Sequence, residues 1–399
     1  KKVIMSYWTI CRMKTTKKIY VKVSIIFLLG GILLFSSCEK EENQKIEANR
    51  KTLFMYLPWS SNLTNYFYNN ISDLEKCITK IGLNNEKVIV FISTGSTEAM
   101  MFEIVSSHGR CKREILKKYK SPPFTTIDGI TAILNAFAPA SVYTMIIGCH
   151  GMGWLPVYEM KVRSAPHMKM HWEYQGVPLT RYFGGLTAEY QTDIKSLASG
   201  IANAGMKMEY ILFDDCYMSS IEVAYELKDV TKYLIGSTSE MMAYGMPYAA
   251  IGEYLLGNPD YQSGCEEFYN FYSTYEIMPC GTLAVTDCSE LENMAAIIKS
   301  INSKYSFDKS LRGTIQRLDG YTPVIFYDFA DYITSLCNDP ILLNQFREQT
   351  YKTHTKNFYT MAKGIIPINT FSGITTSDPS DNPMTVLKEN TLWYKAAHN

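Results

Sequence analysis

Residues 210–227 read YILFDDCYMSSIEVAYEL. The first four are continuously apolar, as in a strand buried on both faces of a parallel sheet. Two aspartates and a cysteine follow. A helical pattern comes next, with Ser219 and Glu222 at the spacing of a capping box. Strand, polar turn and helix in this order form the unit of an α/β fold. The reading puts Asp214, Asp215 and Cys216 at the carboxyl end of a strand, where open α/β sheets bind their ligands. Side chains alternate along a strand, so Asp214 and Cys216 are expected on one side and Asp215 on the other.

The same unit recurs outward from this stretch. TLFMYLP (52–58), KVIVFIS (87–93), VYTMIIG (142–148) and YLIGS (233–237) read as further strands, AMMFEIV (99–105) as an adjoining short one, and TLAVTD (282–287) as one more. Between them lie helical patterns: SDLEKCITKIG (72–82), then Ile127, Ile130, Leu134 and Phe137, then Ile194, Leu197, Ala198 and Ile201 with Gly205 as a stop, and SELENMAAIIKSINSKY (289–305). The alternation predicts a doubly wound α/β sheet with right-handed crossovers. The core is expected over 51–250, with an α+β extension over 251–399.

The chain has 399 residues and a formal net charge of +0, which gives no electrostatic case for a nucleic-acid partner. Its amino-terminal part is more informative. Lys14, Lys17, Lys18 and Lys22 precede an apolar run from Ile25 to Phe35, and Ser36-Ser37-Cys38 follow. This is the pattern of an export signal, with Met13 read as the start and residues 1–12 upstream of it. The apolar run is short for crossing a hydrocarbon core of about 30 Å. Residues 13–37 therefore read as a signal peptide and the polar stretch 38–50 as a flexible tether. Beyond Cys11 and Cys38, eight cysteines remain, at 77, 111, 149, 216, 265, 280, 288 and 337. None forms C-x-x-C or a zinc array, and the irregular spacing in a large domain argues against a disulfide-built scaffold. One or two surface bridges are compatible with an oxidising compartment. No cofactor is assigned. His167 and His171 have i, i+4 spacing but lack a third ligand, so no metal is assigned either.

Two reactive residues sit at strand ends. His150 follows the strand in VYTMIIGCHGMGW (142–154), and Cys216 ends YILFDDC. If those strands are neighbours, thiol and imidazole share a crevice. Such a pair suits nucleophilic acyl transfer, with the imidazole managing the protons. Gly151 lets the backbone approach a substrate, and its N–H together with that of Cys216 is a candidate oxyanion hole.

CHGMGW and FDDCYMSSIEVAYEL resemble the two active-site motifs of the clostripain family of cysteine peptidases: histidine in H-G-x-G-W, cysteine in D-x-C-x-M, then E-V-A-Y. Looser matches are GSTSEMMAYGMPY (236–248) and FSGITTSDPSDNP with a later LWYKA (371–396), so the resemblance runs from about Lys51 onward. It implies a caspase-like α/β/α fold and an endopeptidase with His150 and Cys216 as catalytic residues. It also implies that Asp214 binds a basic substrate side chain, so that cleavage follows Arg or Lys. An unpaired anion beside the nucleophile opposes thiolate formation until a substrate cation neutralises it, which turns the same charge into selectivity. Helix-terminal stabilisation is the other role open to Asp214. Glu240, in the loop after the next strand, is a second acidic candidate, with plain solvent exposure as its alternative. Cys149 and Asp215 depart from the family pattern, which often has Asp or Asn at the first position and a small residue at the second. Asp215 reads as structural, interacting with the helix opening.

Ser36-Ser37-Cys38 resembles a lipoprotein processing site, which implies acylation of Cys38 and a membrane attachment through lipid. The acidic residues behind it resemble a signal for the outer face of the outer membrane. The long segment 155–185 reads as a functional loop; family members cleave themselves in this region, which makes Lys161, Arg163 and Lys169 candidate sites. The expected partners are proteins or peptides with basic residues. The alternative function is a non-catalytic surface lipoprotein that uses the same fold as a binding module.

Overall fold

The computed structural model describes residues 51–60, 62–137, 139–157, 190–276, 279–353, 359–362 and 366–398. The expected export signal and tether, with Cys38, Lys161, Arg163, Lys169, His167 and His171, lie outside the described residues. Residues 50–399 form one compact unit.

Five parallel strands make its centre. They are β1 (Lys51–Leu57), β2 (Glu86–Ser93), β5 (Val142–Ile147), β6 (Met208–Phe213) and β7 (Thr231–Gly236), in the order β7-β6-β5-β1-β2. Each is rich in buried aliphatic or aromatic residues, from Leu53 in β1 to Ile235 in β7, as a sheet covered on both faces requires. Antiparallel strands flank this centre: β3 (Glu98–Ser107) and β4 (Arg110–Lys120) beyond β2, and β8 (Gly281–Asp287) and β10 (Tyr359–Ala362) beyond β7. β9 (Tyr327–Asp328) and β11 (Thr375–Thr376) make a separate two-stranded ladder.

Helices pack in two groups. α1 (Thr64–Ile81), α5 (Tyr248–Leu255) and α6 (Tyr261–Ser273) form one. The other runs through α2 (Ile127–Leu134), α3 (Ile194–Asn203) and α4 (Ile221–Leu227), and continues with α10 (Leu392–His398), α7 (Leu291–Asn302) and α9 (Pro340–Thr353). A further helix, α8 (Phe329–Leu336), follows β9 directly. In α1 the buried residues Phe67, Ile71, Leu74 and Ile78 repeat at helical spacing, and Gly82 ends the helix at φ 79°.

Several expectations need correction. The first helix begins at Thr64 rather than near Ser72, because its opening turns carry polar residues that blur the apolar stripe. β4 was not expected at all. Six of its eleven residues are Lys or Arg, so it has no apolar run, yet such charges are what keep an edge strand from pairing with another chain. α4 is capped by Ser220, whose hydroxyl accepts the Val223 N–H at 3.2 Å, and not by Ser219 with Glu222. Both residues of the expected capping box are used by distant chain: Ser219 Oγ donates to the Gly373 carbonyl at 2.8 Å, and Glu222 bonds to Thr376 and Ser377. Cysteines 77, 111, 149, 216, 265, 280, 288 and 337 are all free, so no surface bridge forms among them. Among the described residues, no helix is long and apolar enough to cross a membrane.

Candidate active site

β5 and β6 are adjacent and parallel, with Ile147 opposite Phe213. The Asp214 N–H still donates to the Ile147 carbonyl, at 2.7 Å. His150 and Cys216 each lie three residues past these register partners, so the topology brings both to one level at the carboxyl edge of the sheet. Gly151 shows how closely the two turns approach. A Cβ at that position would stand 2.3 Å from the Cys216 carbonyl oxygen and 2.8 Å from Asp215 Cβ. Only glycine permits this contact. The backbone freedom expected to serve a substrate serves here to seat the histidine turn on the cysteine turn.

The thiol is enclosed. Cys216 has 0% exposure. Its Sγ accepts the Met241 N–H at 3.0 Å and faces the Met241 carbonyl at 3.7 Å. Met241 belongs to the segment that follows β7, so the third neighbouring strand end closes over the sulfur. The next residue after the thiol is unusual. Tyr217 adopts φ 62°, a left-handed conformation that bulky residues rarely take and that costs on the order of 1 kcal/mol or more. It is held there by stacking on Phe326, 4.9 Å between ring centroids, by its N–H to the Ser239 carbonyl at 3.0 Å, and by its hydroxyl donating to Glu240 at 3.0 Å. Phe326 is itself placed by Asp319, a buried carboxylate that accepts the N–H groups of Tyr321, Ile325 and Phe326.

The acidic residues separate as strand alternation requires. Asp214 faces the α1/α5 side, where one oxygen accepts the Met246 N–H at 2.9 Å and the other the Tyr248 hydroxyl at 3.0 Å. It is buried, and the expectation of a carboxylate standing unpaired in an open wall is thereby corrected: it ties down the 241–248 segment. Asp215 points the opposite way and accepts both the N–H and the thiol of Cys149, the latter at 3.3 Å. The two departures from the family pattern are thus partners of one another. The cavity lined by His150 also takes in Tyr56, Cys149, Asp215 and Ile194, whereas Asp214 and Cys216 are not in its wall. Glu240 is buried rather than solvent-exposed.

His150 is 7% exposed, and its Nε2 lies 2.9 Å from the side-chain oxygen of Asn62. The motif around it is braced from far away. Trp154 Nε1 donates to Ser377 Oγ at 2.9 Å, and the Ser377 N–H in turn donates to Glu222 at 2.7 Å. Burial, with Asp378 nearby, pushes the Glu222 carboxyl up to about 7. Sequence reasoning missed Asn62, Met241, Tyr217 and Phe326. No local pattern marks Asn62 or Phe326, and the positive φ of Tyr217 has no signature in a tyrosine. Among the described residues, no group of three or more His, Cys, Asp or Glu is arranged to hold a metal ion.

Known proteins share this architecture. The profile of the clostripain family (Peptidase_C11) matches residues 55–366. The X-ray structure of a secreted C11 cysteine protease from Bacteroides thetaiotaomicron is 56% identical, with a TM-score of 0.80, over 88% of this chain and 99% of its own. A clostripain from Bacteroides thetaiotaomicron ATCC 29148, solved with a peptide inhibitor, is 61% identical over 54% of this chain and 99% of its own, with a TM-score of 0.52. An inactive zymogen C11 protease from Parabacteroides distasonis shares the fold at 22% identity, with a TM-score of 0.72 over 88% of this chain and 99% of its own. No curated protein matches. With its caspase-like α/β fold and this family match over most of its length, the chain belongs to the clostripain family of cysteine peptidases.

Proposed function

We propose that Cys216 is the nucleophile and His150 the proton carrier of an endopeptidase that cuts after Lys or Arg. The observation that carries this is the common level of the two residues, each three past the Ile147–Phe213 pair, with Gly151 seated on the Cys216 peptide. In the acylation step the Cys216 sulfur bonds to the scissile carbonyl carbon and the peptide C–N bond breaks. The thiol proton passes through His150 to the departing amine. Water then adds to the thioester, its proton returns through His150 to the sulfur, and the acid product leaves. The close seating of Gly151 on the Cys216 peptide supports the amides of these two residues as donors to the oxyanion. Because Cys216 is fully covered, turnover requires a rearrangement that uncovers it.

Two observations support a basic preference. Asp214 and Glu240 lie on the segments that enclose Cys216 and bring two carboxylates to its surroundings. The peptide of the inhibitor bound by the 61%-identical clostripain, BTN-VLTK-AOMK, ends in lysine. Asp214 is the first choice for the carboxylate that meets the substrate cation, through a shift of the 241–248 segment, with Glu240 second.

Hydrolysis of lysyl, arginyl and aspartyl fluorogenic peptides by the ectodomain tests the reading. Cys216→Ala and His150→Ala are expected to lower kcat by about 10⁴-fold or more. Residual turnover in Cys216→Ala would remove the nucleophile assignment, and a chain inert under every activation condition would favour the binding-module alternative. Self-processing at Lys161, Arg163 or Lys169 predicts two fragments by intact mass that are missing from Cys216→Ala. Attachment by lipid at Cys38 to the outer membrane, with a surface-exposed enzyme, predicts palmitate incorporation that is lost in Cys38→Ala.

A further inference from the structure

Four neighbouring parallel strands meet at the site, and three have been given a part: β5 brings His150, β6 brings Cys216 and β7 brings Met241. The fourth is β1, which pairs with β5 with Tyr56 opposite Ile147. Its carboxyl end runs through Pro58 and Ser60 to Asn62, just ahead of α1. Asn62 sits between two buried anchors. Ser60 is 0% exposed, with its hydroxyl donating to the Pro58 carbonyl at 3.0 Å. Leu63 is also buried, and its carbonyl accepts the Phe67 N–H at 3.0 Å. Between these anchors the side-chain oxygen of Asn62 reaches His150 Nε2 at 2.9 Å.

We propose that Asn62 is a positioning residue that fixes the tautomer and orientation of His150, completing a Cys–His–Asn arrangement; the inference rests on the Cys216–His150 reading above. An amide oxygen only accepts, so the ring nitrogen facing it carries a hydrogen. With Nε2–H engaged by Asn62, the nitrogen that exchanges protons with the thiol and the leaving amine is Nδ1. When Nδ1 takes the thiol proton, the ring becomes an imidazolium and the Nε2–H bond to Asn62 strengthens, because its donor is now charged. Asn62 therefore favours the charged intermediate state without contacting substrate. It also stops the ring from turning out of line between the two halves of the reaction.

The test is the pH dependence of kcat and KM on a lysyl fluorogenic peptide for the ectodomain, Asn62→Ala and Asn62→Asp. Asn62→Ala is expected to lower kcat at least tenfold with KM changed less than twofold and the melting temperature unchanged. Asn62→Asp restores an acceptor with a full negative charge. It is expected to recover most of kcat and to move the limb that reports the imidazolium upward by about one pH unit. A loss under threefold in Asn62→Ala, or a larger loss that Asn62→Asp neither restores nor shifts in pH, overturns the proposal. Should Asn62→Ala fail to fold, the Asn62→Asp profile decides alone, and an unshifted limb counts against it. Cys216→Ala in the same assay keeps the two questions apart: activity remaining there removes the nucleophile assignment on which the inference rests, whereas activity lost there but kept in Asn62→Ala removes the role of Asn62 alone.

Discussion

Asp214 and Asp215 are adjacent, both 1% exposed, and chemically identical, yet they belong to different halves of the molecule. Asp214 turns towards α1 and α5 and holds the 241–248 segment that covers the thiol. Asp215 turns towards the cavity bounded by α3 and holds the Cys149 end of the histidine turn. One steers the cysteine side and the other the histidine side. Neither burial nor residue type tells them apart; the period of two along a strand does.

Substituting each carboxylate tests that division. Asp214→Asn keeps an acceptor for Met246 and offers its amide to the Tyr248 oxygen, so the fold survives while the charge goes. We expect kcat/KM on lysyl and arginyl peptides to fall about 10²-fold, with little change on a neutral peptide. An equal loss on both substrates would mean that Asp214 only ties the segment down. Asp215→Asn is expected to cost less, about tenfold in kcat, without altering the ratio of basic to neutral substrates, because it acts through Cys149 on the placement of His150. If Asp215→Asn changed selectivity, the assignment of the two sides would be reversed.

Glu222, a third buried carboxylate behind the site, sharpens the contrast because its effect is on stability. Its pKa in the folded chain is about 7, above the ordinary 4.5, so the folded state keeps a proton that the unfolded chain releases. Its contribution is fully present below about pH 4.5 and is lost as pH rises through about 7, amounting to about 3 kcal/mol over that window. Glu222→Gln is expected to flatten the fall in unfolding free energy between these limits, measured by denaturant titration at several pH values. Asp319, also pushed up to about 7 by burial, contributes the same sign of slope in both chains. A Glu222→Gln chain with an unaltered slope would place the proton elsewhere.

The parallel centre, the two strand ends and the opposite facing of Asp214 and Asp215 were all legible in the sequence, because each depends on local periodicity. What the carboxylates bond to was not. Asp214 meets Met246 and Tyr248, and Cys216 meets Met241, through neighbouring strands whose register no single segment encodes. β4 escaped notice for a different reason: an exposed edge strand is selected for charge, and charge hides it from a search for apolar runs. Asn62 is a polar residue in a turn, and only the placement of β1 beside β5 gives it His150 as a neighbour.

The segment around Thr375 and Ser377 grips both motifs at once: Ser219 at a separation of 156 residues and Trp154 at 223. During synthesis, therefore, a nascent chain that already displays the histidine and the cysteine still lacks the clamp that sets them. A peptidase assembled in this order reaches its set geometry only when the latest-made stretch has arrived.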